Sequence, residues 1–149
     1  TINTNLSTLK TSLQQTGLST TLRNISNDYT LLAPTNDAFT QIDEDIFYDL
    51  LNNIAELKDI LLYHVILGRI TFDNLVDGLM IQTLHGNNLT VSITINGVYL
   101  TDKDTDSLPA RINGNEIDTL NGVIYIIDNV LSYDDAILDD NVSSAYIIN

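Results

Sequence analysis

The residues with chemistry to offer are few. Histidine occurs twice, as His64 in the apolar stretch 62–66 and as His85 before Gly86. A nucleophilic enzyme needs a Ser, Thr or Cys beside an oriented base. The chain has no cysteine and no G-x-S-x-G elbow. Absence of cysteine also removes disulfides, iron–sulfur clusters and thiolate zinc sites. No H-E-x-x-H, P-loop or G-x-G-x-x-G pattern occurs. A glycosidase needs two carboxylates across a cleft, and twenty acids in 149 residues supply such pairs by chance. The residue types therefore argue against catalysis.

One carboxylate run has metal-ligand spacing. Asp102, Asp104 and Asp106 alternate as the first half of an EF-hand loop does, but Ser107 stands where the loop needs Gly and Asn113 where it needs Glu. An EF-hand is rejected. What remains is either a weak calcium site on these three carboxylates or an acidic hairpin loop with Lys103 as partial counter-charge. No other cofactor is expected.

Two kinds of element must position these residues. In the first half the apolar residues recur at helical spacing: Leu6, Leu9 and Leu13, then Leu22 and Ile25 after a cap at Ser19. Ile46, Phe47, Leu50 and Leu51 make another stripe, and Ile54, Leu57, Ile60 and Leu61 a fourth. A short apolar strand is predicted at 29–33, ended by Pro34, with Thr35 or Asn36 capping a helix that carries Phe39 and Ile42. A short helix is predicted at 72–77. Residues 62–66 read as β, which places His64 on one face with Leu62 and Ile66, and Tyr63 on the other with Val65. Such a histidine is a hydrogen-bonded core residue.

After Gly78 the period becomes two. Strands are predicted at 80–84, 89–95, 98–101, 110–112, 116–119 and 123–128, with Asn96-Gly97 and Asn113-Gly114 as two-residue hairpin turns. The run Val123, Ile124, Ile126, Ile127 fits a central strand covered on both faces. Leu31, Leu32, Phe39, Leu61, Ile66, Ile124 and Ile126 are expected in one buried cluster. The layout is α+β, with 134–149 as a tail or linker.

Six basic residues against twenty acids leave a net charge of −14. That field repels phosphate, so no nucleic-acid partner is expected and docking on an anionic membrane surface is disfavoured. Seventeen of the acids are Asp, which suits turns and helix caps better than helix faces. No apolar run approaches the length of a membrane span. The first residue is Thr1 with no basic-then-apolar leader behind it, as in a mature or trimmed chain.

Three ordered stretches carry a family resemblance: TLLAPTNDAF at 30–39, LKDILLYHVILG at 57–68 and NGVIYIIDNVL at 121–131. Together they resemble the fasciclin domain family across about residues 5–133. Tyr125 departs from the pattern, which commonly has His there. The resemblance implies a compact α+β domain over 1–133, a β-wedge or twisted sandwich of mainly antiparallel strands with a helical N-terminal half packed on it. It also implies a secreted or cell-surface adhesion or interaction module that contacts cell-surface or matrix proteins or glycans. The adhesion candidates it implies are Tyr63 and His64, together with Lys58, Asp59 and Ile60, which resemble an adhesion motif with Leu57 in place of Asn. The alternative reading is a module binding glycans or small apolar molecules in a groove between helices and sheet, and the third is an enzyme. The charge predicts a monomer at low salt.

Overall fold

The computed structural model describes residues 6–24, 26–102 and 109–132. Ile25, Asp104, Asp106, the predicted tail and the predicted boundary after 133 lie outside the described residues. Five helices come first, interrupted by one strand: α1 (Ser7–Thr16), α2 (Leu18–Leu22), β1 (Tyr29–Pro34), α3 (Asn36–Thr40), α4 (Glu44–Leu51) and α5 (Ile54–Leu62). Six strands follow: β2 (Val65–Leu67), β3 (Met80–Gln82), β4 (Asn88–Thr94), β5 (Gly97–Thr101), β6 (Ala110–Thr119) and β7 (Gly122–Ile127).

The helix starts explain part of the Asp and Asn usage. Asp43 accepts from the amides of Asp45 and Ile46 at the start of α4, and Asn53 accepts from Glu56 at the start of α5. Asp37, Glu44, Asp45 and Glu56 lie in first turns, where the helix dipole favours negative charge. Thr35 caps α3 by accepting from the Ala38 amide. Asn36 caps a different helix: its Oδ1 accepts from the Thr8 amide at 2.9 Å, at the start of α1, whose own N-cap Leu6 has no side chain to offer. Ser19 is not a cap. α2 starts at Leu18 directly after Gly17, and Leu18 is buried.

The strands form one sheet in the order β2-β1-β7-β6-β5-β4-β3. All pairings are antiparallel except β1 with β7, which run parallel from Tyr29↔Gly122 to Pro34↔Ile127. β6 is the hinge of the sheet. Ala110 and Arg111 pair with β5, while Ile112 to Thr119 pair with β7. The sheet therefore folds over on itself and nearly closes, with the amide of Leu84, just beyond β3, bonded to the carbonyl of Val65 in β2 at 2.8 Å.

Two hairpin expectations are corrected here. Asn113-Gly114 is no turn: both residues lie inside β6, at a register shift between Asn113 and Ile117. β6 has already passed from β5 to β7 between Arg111 and Ile112, and Gly114 at φ 76° supplies the left-handed residue of a bulge within the β6–β7 pairing that follows. In the β4–β5 hairpin, Thr94 pairs with Gly97, so the turn residues are Ile95 and Asn96 rather than Asn96 and Gly97. The 72–77 helix is also shorter than predicted, a single 3₁₀ turn at Phe72–Asn74.

The core is two clusters, not one, because the sheet separates them. Between the two halves of the folded sheet lie Leu32, Tyr63, Ile66, Leu89, Val91, Leu100, Val123, Tyr125 and Ile127. On the other side the helices pack Leu9, Leu13, Phe39, Leu57, Ile60 and Leu61 around Ala33 and Val130. Of the residues expected in one cluster, Leu32 and Ile66 are in the first and Phe39 and Leu61 in the second. Leu31 and Ile124 are half-buried against the helices, and Ile126 is half-buried. β7 is central, as its apolar run predicts.

Gly122 exists for space. Its backbone runs so close to β1 that an added Cβ would collide with the carbonyl oxygen of Tyr29. A clash with backbone in a central pairing has no side chain to relieve it, so Gly122→Ala is expected to cost about 3 kcal/mol. Thermal melting checks this, and an unchanged midpoint would contradict the close approach of β1 and β7.

Candidate functional site

The Tyr-His pair sits where α5 ends. The strand predicted at 62–66 begins only at Val65, because the helix continues through Leu62 with Tyr63 as its C-cap. The reason is His64 itself. Its Nδ1 lies 2.8 Å from the carbonyl of Ile60 and so gives that last-turn acceptor a second donor beside the Tyr63 amide at 3.1 Å. An extended backbone would carry the ring away from that carbonyl.

The ring is buried at 1 % exposure, and both nitrogens are bonded. Nε2 accepts from the Leu131 amide at 2.9 Å. An amide can only donate, so Nε2 is unprotonated, and Nδ1 carries the proton it donates to Ile60. Burial lowers the pKa of His64 from 6.5 to about 4, with the Ile60 bond opposing it, so the ring is neutral. The backbone carbonyl of His64 accepts from Leu32 in β1 at 2.8 Å. One residue thus joins α5, β1 and the segment after β7, and the neutral tautomer is set by the bonds it makes.

Tyr63 is equally enclosed. It is fully buried, its hydroxyl donates to the carbonyl of Asn88, and its ring stands edge-on to His64 and to His85. His85, half-buried, has Nδ1 3.0 Å from the Asn87 side-chain nitrogen. Of the five adhesion candidates, Ile60, Tyr63 and His64 are inside the domain, and Lys58 and Asp59 are exposed on α5. The structure keeps these five close in sequence but divides them between core and surface. Tyr125, standing where the family commonly has His, is buried and donates to the carbonyl of Ile70 at 2.9 Å. Burial raises its pKa, and Glu116, Asp118 and Asp73 raise it further.

Asp102 is the one described member of the calcium candidate. Its Oδ2 accepts from the Ser132 amide at 2.8 Å, which ties the end of β5 to the segment that His64 holds. Among the described residues no group of three or more His, Asp or Glu could hold a metal ion.

Several positioning residues escaped the sequence reading. Thr30 is buried in β1; its hydroxyl donates to Gly68 and accepts from the Ile70 amide. The lone hydroxyl in the apolar run TLLAP was its signal. Asn121 donates to the carbonyl of Leu22 at 2.6 Å, pinning α2 to the β6–β7 turn. Arg69 donates to the carbonyls of Thr119, Leu120 and Gly122 and lies 3.9 Å from both Asp28 and Asp118. Nothing in local sequence marks a partner fifty residues away.

Among the described residues, two of the surface clefts bear on the groove reading. One, of about 240 Å³, lies between α1 and α4 and is lined by Thr8, Thr11, Ser12, Gln15, Phe47 and Leu51. The other, of about 160 Å³, lies between α2 and the β1–β7 pair. Both fall below the roughly 300–1,000 Å³ of a small-molecule site.

A folded-over mixed sheet, helices on one face, and a Tyr-His corner tied to the closing strand define a fasciclin-type domain. The fasciclin domain family model matches residues 4–133, and the chain belongs to that family. It is 32% identical to pig transforming growth factor-beta-induced protein ig-h3 over 134 residues, 87% of this chain and 18% of that protein. It is 34% identical to immunogenic protein MPB70 of Mycobacterium bovis over 106 residues, 71% of this chain and 50% of that protein. The solved structure of a FAS1 domain pair from the insect cell adhesion molecule fasciclin I matches its fold with a TM-score of 0.64 at 19% identity, covering 85% of this chain and 45% of that one. The chain therefore spans half or less of each of these relatives. Among the described residues no helix is long and apolar enough to cross a membrane.

Proposed function

We propose that this domain is a secreted or cell-surface adhesion or interaction module with no catalytic role. The observation that carries the reading is membership of the fasciclin family together with a fold shared with a cell adhesion molecule. The site chemistry supports it. Among the described residues the two groups with displaced pKa values, His64 and Tyr125, are buried and bonded to backbone, not presented in a cleft. General acid–base catalysis needs such a group within reach of a substrate. The partners are matrix or cell-surface proteins or glycans, met on the outer surface and not at the buried Tyr63-His64 corner. Lys58 and Asp59 are the accessible part of the adhesion motif.

The test is a binding screen of the domain against whole cells, matrix proteins and glycan arrays, with and without calcium. Saturable adhesion supports the reading. Binding confined to one small molecule, or turnover of a substrate, would overturn it. A weak calcium site on Asp102, Asp104 and Asp106 would appear as binding at about 10⁻⁴–10⁻³ M that is lost on Asp104→Ala.

Charge sets a second expectation. At −14, two copies repel through any nonspecific face, and that repulsion is screened beyond about 8 Å at physiological salt. The domain should be monomeric at low salt and self-associate increasingly with sodium chloride, and more steeply with calcium chloride. Light scattering across both series checks this; association strongest at low salt would contradict it.

A further inference from the structure

The inner cluster of the folded sheet does not end at a polar boundary near residues 70–80. Ile70, Leu79 and Val98 lie half-buried against it, and beyond them apolar side chains continue into solvent: Phe72 at 37 %, Val76 at 55 % and Ile93 at 40 % exposure. These three belong together. Phe72 packs its ring on buried Tyr125, with centroids 6.4 Å apart. Two successive turns carry the chain from Phe72 to Leu79 through the Phe72–Leu75 and Val76–Leu79 backbone bonds. The chain then lies along β4, with Gly78 bonded to Val91 and the Asp77 carboxylate accepting from the Ile93 amide at 2.9 Å. Ile93 is two residues from buried Val91 and so shares its sheet face.

Carboxylates surround this strip. Asp73 and Asp77 alternate with its apolar residues, and Glu116 reaches over from β6 to accept from the Phe72 amide at 2.9 Å. Arg69, three residues before Phe72, is engaged with Asp28, Asp118 and three carbonyls. No ion pair to a described residue joins Asp73, Asp77 or Glu116. They do not converge as metal ligands do among the described residues. Separate acids around an apolar strip instead match separate cations around apolar side chains. A second copy of this acidic chain is the wrong complement.

We propose that Phe72, Val76 and Ile93, rimmed by Asp73, Asp77 and Glu116, form a docking surface for a segment of a partner protein that alternates basic and aliphatic residues. Apolar contact supplies the buried centre, and rim charge supplies encounter rate and selectivity. The proposal rests on the interaction-module reading and names the partner chemistry of one face.

The test titrates the ¹⁵N-labelled full chain with a synthetic peptide of alternating Lys and Leu, with the same peptide carrying Ser for Leu, and with one carrying Glu for Lys. Expected shifts concentrate at residues 72–77, 91–93 and 116–118. The combined change Val76→Ser and Asp73→Asn, both on exposed side chains, should weaken the Lys-Leu peptide at least tenfold without moving the thermal midpoint. The Ser peptide should bind more weakly with diffuse shifts, and the Glu peptide not at all. Shifts centred elsewhere, unchanged affinity in the variant, or equal binding by the Ser peptide would overturn the proposal. So would the same shifts arising when the protein alone is concentrated. Failure of the wild-type chain to adhere to cells or matrix would instead count against the module reading and leave the peptide map standing.

Discussion

Replacing Phe39 with alanine is expected to destabilise the domain by about 3–5 kcal/mol. Phe39 is 4 % exposed, in the short helix that follows β1, and packs its ring 5.9 Å from that of Phe47 in α4. It sits among Leu9, Leu13, Leu57 and Leu61, so it joins α1, α3, α4 and α5 in one cluster. Truncation removes transfer energy and leaves a cavity that four helices, each fixed by its own caps or sheet contacts, close only in part. For a domain near 150 residues the loss lowers the melting midpoint by roughly 10 °C. Urea unfolding of both proteins measures it. A change below about 1 kcal/mol would mean that the helical layer does not pack through this ring.

Acid is expected to weaken the fold through His64, and the sign follows from its neutral tautomer. In the unfolded chain the ring takes a proton near pH 6.5, whereas in the folded domain it resists until about 4. Between those values the unfolded state binds more protons, so stability is fully present above about 6.5 and falls as pH drops towards 4. The difference corresponds to about 3 kcal/mol at the acid end. Carboxylates also titrate in this range, so the measurement is a comparison. His64→Asn keeps a donor for Ile60 but does not titrate. It should be less stable at pH 7, because Leu131 loses its acceptor, yet show a shallower decline between pH 6.5 and 4. Equal slopes would contradict the buried neutral ring. His64→Ala takes the acceptor from the Leu131 amide, while the Ile60 carbonyl keeps the Tyr63 amide, and should cost about 1–3 kcal/mol at pH 7. A variant that melts like the parent but no longer adheres to cells would move His64 from framework to recognition.

The helices and most strands were legible in the residues because each rests on neighbours in sequence, as was the Thr35 cap though not the start of α2. Leucines at helical spacing and alternation from Met80 onward are local signals. Three family motifs in order identified the fold for the same reason: a short segment carries its own pattern. Where the reading failed, the deciding partner was distant. Asn113-Gly114 has the residues of a hairpin turn, yet β6 runs on through it, paired with distant β7 on both sides of a register shift, and the glycine serves a bulge. Tyr63 and His64 have β-like neighbours, yet the Ile60 carbonyl and the Leu131 amide hold the imidazole only if the helix runs on to Leu62. The apolar residues announced a core but not two of them, because the parallel pairing of β1 with β7 is what divides one side from the other. Charge and composition give an expectation of which partners are disfavoured. Which apolar side chains stay outside, Phe72, Val76 and Ile93 among carboxylates, was decided by how the sheet folds over, since burial depends on what the tertiary structure brings near and not on the residue alone.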